Sequence, residues 1–186
     1  MTLSDRIEKL LMSVQKPVRY MGGEFNAVMK DPAQVDVRYA FLFPDTYEVG
    51  MSHLGMKILY HAINARPDAW CERVFSPWVD MADLMRQNDI PLFSLESRTP
   101  VREFDLLGIT LQYEMSFTNI LEALDLAGIP LRREDRIEGP FIICGGPCAF
   151  NPEPLAPFID AFMIGDGEDV MHELIEVIRD GREAKK

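Results

Sequence analysis

Five apolar runs, each with a helical stretch or a glycine turn close behind, leave this chain few folds to choose from. They are Val35–Phe43 (VDVRYAFLF), Cys71–Ser76 (CERVFS), Phe104–Tyr113 (FDLLGITLQY), Pro140–Gly146 (PFIICGG) and Asp160–Gly167 (DAFMIGDG). Strands apolar on both faces belong to a parallel sheet covered by helices on either side. Right-handed crossovers then predict an α/β, doubly wound, flavodoxin-like (Rossmann-like) five-stranded parallel sheet. Helices are expected over Ser52–Arg66, Met81–Asn88, Ser116–Gly128 and Glu168–Gly181. In the first, Leu54, Ile58 and Ala62 with Leu59 and Ile63 form the inward stripe; in the last, Val170, Met171, Leu174, Ile175 and Ile178 point inward. Gly181 is the expected stop of that helix. Ile90–Ser97 (IPLFSLES) reads as a brief extended edge piece.

Ahead of the sheet, Ser4–Val14 has helical spacing and Pro17 ends it. Residues 18–32, with a Gly22-Gly23 pair, read as an irregular linker. The expected division is a short N-terminal helical extension and linker over 1–30, packing against an absent neighbour, and one α/β domain over 31–186. A chain of 186 residues suits a single domain of that kind. No apolar stretch approaches the ~20 residues that cross a bilayer, and the start lacks a secretory pattern, so a cytoplasmic address and no membrane contact are expected. The three cysteines form no disulfide framework. With 19 basic and 30 acidic residues, a net −11, and no basic stripe, direct nucleic-acid binding by this chain is not expected.

In a doubly wound sheet, ligands bind beyond the carboxyl ends of the strands. The informative loops are therefore Pro44–Ser52, Thr110–Ser116, Gly145–Pro152 and Gly165–Glu168. A phospho-receiver needs an acceptor Asp after the third strand and a Lys after the fifth; Thr110-Leu111-Gln112-Tyr113 and Gly165-Asp166 stand there instead. A flavin phosphate loop wants more hydroxyls than Thr46 and Ser52, and Asp45 repels phosphate. Gly165-Asp166-Gly167 lacks the third glycine of a dinucleotide fingerprint and follows the wrong strand. Cys144 and Cys148 have the first spacing of CxxxCxxC, but Asn151 occupies the third place. Iron–sulfur ligation needs the full set of thiolates, so Cys144 reads as a buried strand residue and Cys148 as a loop residue.

Asp45-Thr46-Tyr47-Glu48-Val49-Gly50 resembles the D-x-H-x-x-G signature of cobalamin-binding domains, with Tyr47 in the histidine's place. In that family a Ser/Thr pocket on the third strand and a Gly-Gly pair after the fourth complete the site, and GITLQY (108–113) and ICGGP (143–147) match those positions. With RYMGGEFN upstream and PDTYEVGMSHLGMKILYHAIN, LLGITLQYEMSFTNILEALDLAGIP and GGPCAFNPEPLAPFIDAFMIGDGE following in order, nearly the whole chain resembles the N-terminal region of an uncharacterised family of bacterial radical-SAM proteins.

The resemblance implies a cobalamin-binding-like domain followed, beyond Lys186, by its own C-terminal radical-SAM barrel. That barrel would carry the 4Fe-4S cluster, S-adenosylmethionine and the CxxxCxxC motif, so this chain is expected to be non-catalytic alone. By the same resemblance Asp45, Tyr47, Gly50, Thr110, Gln112, Gly145, Gly146 and Glu168 would bind cofactor, with no metal ligand among them because Tyr47 replaces the imidazole. The alternative expectation is a cofactor-free docking module that keeps the fold.

Several of these residues also have ordinary readings. Asp45 is a common turn former after proline, and Tyr47 an aromatic that packs on the first helix. His53 could rotate toward cobalt, but reads as a solvated residue of a first helical turn. Asp166, Glu168 and Asp169 suit a helix start, where the macrodipole favours acids. Thr110 and Gln112 end a buried strand and need partners.

Overall fold

The computed structural model describes residues 1–183; the last three residues of the expected domain, 184–186, lie outside the described residues. A helix α1 (Leu3–Leu11) precedes β1 (Val37–Phe43), α2 (Tyr47–Ser52), α3 (Leu54–Asn64), β2 (Ala69–Phe75), α4 (Val79–Gln87), β3 (Leu106–Thr110), α5 (Phe117–Leu126), β4 (Phe141–Gly145), β5 (Ala161–Phe162) and α6 (Gly167–Glu183). The strands are parallel and lie in the order β2-β1-β3-β4-β5. This is the doubly wound, flavodoxin-like arrangement read from the sequence. The order reverses between β1 and β3, which sets the switch point there.

Each face of the sheet carries its own core. Along β1, Val37, Tyr39, Phe41 and Phe43 point to one side and pack with Met56, Tyr60 and Ile63 of α3 and Met171 and Ile175 of α6. Ala40 and Leu42 point to the other, against α1, α4 and α5. The alternation is the two-residue period of a strand, here apolar in both directions. Register places Gly108 between Phe41 and Ile143, and Thr110 beside Gly145 at the carboxyl edge. Among the described residues no helix is long and apolar enough to cross a membrane.

Four local expectations need correction. Leu54 and Ile58 of α3 are exposed, and Met56, Tyr60 and Ile63 form the buried stripe. Both sets recur at helical spacing, so periodicity alone cannot choose between them. The choice is made where His53 interrupts the helix with an extended backbone and caps α3, its Nδ1 accepting the Met56 N–H at 3.2 Å. Val170 of α6 faces outward while Met171 is buried, and α6 runs through Gly181 to Glu183. Ile90–Ser97 forms no strand beyond an isolated antiparallel bridge from Phe93 to Pro100. Finally, part of residues 1–30 packs on this domain itself: Ile7, Leu11, Val14 and Tyr20 are buried in the core shared with α4 and α5, while Met12, Val18, Met21, Phe25 and Met29 stay exposed.

The outer edge strand β2 is covered by charge. Its Glu72 is fully buried and pairs with Arg38 of β1. The hydroxyls of Ser94, at 2.8 Å, and Ser97 and the Ser97 N–H at 3.0 Å also donate to it. The Arg38 guanidinium lies over the rings of Trp70 and Phe104, at 5.2 and 4.6 Å. Next along, Arg73 pairs with the buried Glu96 at 2.6 Å, and the Arg73 N–H donates to the same carboxylate at 2.7 Å. A strand edge left open would recruit other chains; here the 94–99 loop caps it.

The N-terminal segment is clasped to α2 by Arg19 and Lys16, whose nitrogens lie 2.9 and 3.3 Å from Glu48. Desolvation pushes the Glu48 carboxyl up, but its backbone hydrogen bond and those from Arg19 and Lys16 outweigh it and hold the group at about 2. A depressed carboxylate pKa stabilises the fold above the ordinary 4.5 and loses that contribution as pH falls toward 2. NMR titration of the Glu48 carboxyl carbon is expected to give a midpoint near 2, moving up toward 4.5 in Arg19→Ala. An unchanged midpoint in that variant would remove the clasp.

Candidate functional site

The carboxyl ends of β1, β3 and β4 run under α3 and the start of α6, and between them lies a cavity of about 190 Å³. Its deep end is apolar, walled by Tyr39 and Phe41 of β1, Ile143 of β4 and Met171 of α6. Its mouth is polar and glycine-lined, with Thr110, Gln112, Gly145, Gly146 and Glu168. Five of the residues singled out in the sequence therefore meet at one cavity.

Their local chemistry is particular. Gln112 Nε2 donates to Thr110 Oγ1, so the two are held together at the mouth. A Cβ on Gly145 would come within 2.8 Å of Met163 Cε. Gly146 has φ +99°, and a Cβ there would stand 2.9 Å from the Leu111 carbonyl oxygen. The chain's own backbone thus demands glycine at 146. Glu168 opens α6, where the helix start favours an acid.

Asp45, Tyr47 and Gly50 stand apart from that cavity. Asp45 accepts the Tyr113 hydroxyl hydrogen at 3.1 Å and the Thr46 N–H at 2.6 Å, which bridges the crevice between the exits of β1 and β3. Tyr47 packs edge-on against Phe75 at 5.5 Å, and desolvation followed by the nearby Glu24 raises its pKa. Gly50 lies against the Phe75 ring, where a Cβ would come within 2.4 Å. Gly50 also lines a second cavity of about 680 Å³, with Glu24, Tyr60 and Arg73.

His53 lines the mouth of the first cavity. Because its Nδ1 accepts from Met56, the neutral ring carries its proton on Nε2. The ring therefore presents an N–H rather than a lone pair, and metal ligation would require loss of the α3 cap. Burial pushes the Cys144 thiol up, and desolvation with Glu114 does the same for Cys148, so neither is a thiolate at neutral pH.

Two features escaped the sequence reading. Tyr39 and Met171, deep in the cavity, look like ordinary core residues in a pattern. The available signal was Gly108, a glycine inside an apolar strand, which marks close approach of another group. Here that group is the Tyr39 ring: a Cβ on Gly108 would lie 1.6 Å from its hydroxyl oxygen. The second is a set of exposed apolar side chains that follow the strands, in loops or at helix starts: Leu54, Val79, Met115, Phe150 and Ile164.

A family model described as the N-terminal region of radical SAM proteins matches residues 55–186. An uncharacterized protein of Methanocaldococcus jannaschii is 26% identical over 139 residues, covering 73% of this chain and 26% of that protein. The chain thus spans about a quarter of the length of that curated relative. No solved structure matches it.

Proposed function

The chain belongs to the family of radical SAM protein N-terminal domains, and from that premise we propose that it is a cobalamin-binding-like domain of a longer radical-SAM protein, holding the tail of a corrin at the carboxyl edge of its sheet. The observation that carries this reading is the cavity between α3, α6 and the ends of β1, β3 and β4. At about 190 Å³ it is smaller than the ~300–1,000 Å³ typical of sites that enclose a whole small molecule. It suits one flat ring with the rest of the ligand outside.

The residues present fit that use. An apolar floor receives a ring, glycines clear the mouth, and Thr110, Gln112 and Glu168 offer hydrogen bonds to the polar part of a tail. The Asp45–Gly50 turn offers no imidazole, since Tyr47 is packed on Phe75. The cobalt would accordingly have no histidine from that turn. When bound, a corrin supplies a cobalt centre that carries a methyl group or an electron. The iron–sulfur cluster and S-adenosylmethionine belong, in this reading, to the C-terminal catalytic domain, and the exposed apolar side chains beyond the strands would meet that domain.

Titration of the chain with hydroxocobalamin, followed by corrin absorbance, is expected to saturate in the tens of micromolar or below. Met163→Trp, which fills the cavity, is expected to remove binding while the far-UV circular dichroism is retained. A second reading is a docking module without cofactor. The hydrogen bond from Tyr113 to Asp45 favours it, because it spans the switch-point crevice. Absence of corrin binding by the folded chain selects that reading.

A further inference from the structure

The deep end of the 190 Å³ cavity contains one polar atom that the fold itself barely uses. Tyr39 is 2% exposed, and among the described residues its hydroxyl has one hydrogen-bond partner, Met171 Sδ at 3.3 Å. A thioether is a weak acceptor, so the hydroxyl is close to unsatisfied. Burying such a group without a good partner costs stability, and a phenylalanine would fill the same volume without that cost. Space was nevertheless cleared for the oxygen: it lies over Gly108, the one position in β3 without a Cβ. Register puts Gly108 two residues inward of Thr110, about 7 Å below the mouth. The other polar side chains of the lining lie in the surrounding loops and helix starts or, like Thr110, at a strand's end, and Thr110 and Gln112 already bond each other.

Resting on the corrin reading above, we propose that Tyr39 selects the base of the corrin's tail, favouring a base with a polar far edge over one that ends in methyl groups. A purine such as adenine brings ring nitrogens and an exocyclic amine toward the floor, where the phenol can donate to the one and accept from the other. 5,6-Dimethylbenzimidazole, the base of cobalamin, brings two methyl groups and leaves the phenol with only its thioether. Selection follows from the unpaired group, as in any pocket built to hydrogen-bond part of its ligand. Ile143 and Met171 beside the phenol hold the ring by apolar contact and are indifferent to which base it is.

The test titrates the chain with adeninyl cobamide and with hydroxocobalamin, in the wild type and in Tyr39→Phe, reading absorbance and checking fold by circular dichroism. The wild type is expected to bind adeninyl cobamide about fivefold or more tightly. Tyr39→Phe is expected to lose the preference, binding the two cobamides with about equal affinity. Equal affinities in the wild type, or a preference that survives in Tyr39→Phe, overturn the role of Tyr39 and leave the corrin site standing. Failure of both cobamides to bind overturns the corrin site and this selection with it. Should Tyr39→Phe fail to fold, Met171→Leu decides. It removes the thioether, leaves the phenol to the ligand, and is expected to widen the preference; an unchanged or narrowed preference counts against the proposal.

Discussion

Replacing Arg38 with methionine is expected to lower the unfolding free energy of the chain by about 3–5 kcal/mol, to be read from urea denaturation. The size comes from what remains. Glu72 is fully buried on β2, and its carboxylate is held by Arg38, Ser94, Ser97 and the Ser97 N–H. Two hydroxyls and an amide do not neutralise a charge out of water, so the variant keeps an uncompensated buried carboxylate. Loss of the guanidinium contacts with Trp70 and Phe104 adds to the cost. The double variant Arg38→Met/Glu72→Met is expected to recover most of the loss, because replacing both members of a buried pair with apolar groups of similar volume is often nearly neutral. If the double variant is as unstable as the single one, packing rather than charge governs this edge.

That pair also shows where the sequence stops being readable. CERVFS is recognisable as a strand from its flanks, but adjacent Glu72 and Arg73 look like solvent-facing residues. Only the tertiary arrangement explains them: β2 is the edge of the sheet, and the 94–99 loop folds back to satisfy both charges. The rest of the sheet is legible because a parallel layer buries both faces, so apolar runs mark strands directly. The α3 stripe differs from the expected one because Leu54/Ile58 and Met56/Tyr60/Ile63 are equally periodic, and the break at His53 is a local event that periodicity does not encode. Thr110, Gln112, Gly145, Gly146 and Glu168 can be placed together because strand ends converge in this topology. Asp45, Tyr47 and Gly50 are grouped with them by motif, yet their side chains and close contacts belong to Tyr113 and Phe75. The cavity floor is invisible for another reason: a tyrosine in mid-strand and a methionine in mid-helix have the pattern of any core.

Gly108→Ala tests that floor, and is expected to destabilise the chain by about 3 kcal/mol, the upper part of the range for forcing extra volume into a packed core. The added Cβ would lie 1.6 Å from the Tyr39 hydroxyl oxygen, 2.4 Å from Cζ and 2.9 Å from Cε1. A tip contact with a flexible chain would be relieved cheaply, but this is the edge of a rigid ring set against Phe41 at 6.0 Å between centroids and against Met171. The ring must swing as a body, and the space next to it is the cavity. Two readouts therefore move together: urea denaturation records the strain, and the folded fraction loses cobamide binding because the displaced phenol occupies the ring site. Shortening the side chain separates the causes. In Gly108→Ala/Tyr39→Val the clash is gone, and the double variant is expected to be more stable than the sum of the single losses predicts by roughly 1–3 kcal/mol. Additive losses would mean that the added methyl group strains something other than the phenol, and the hydroxyl would then have no cleared place over β3 from which to meet a ligand.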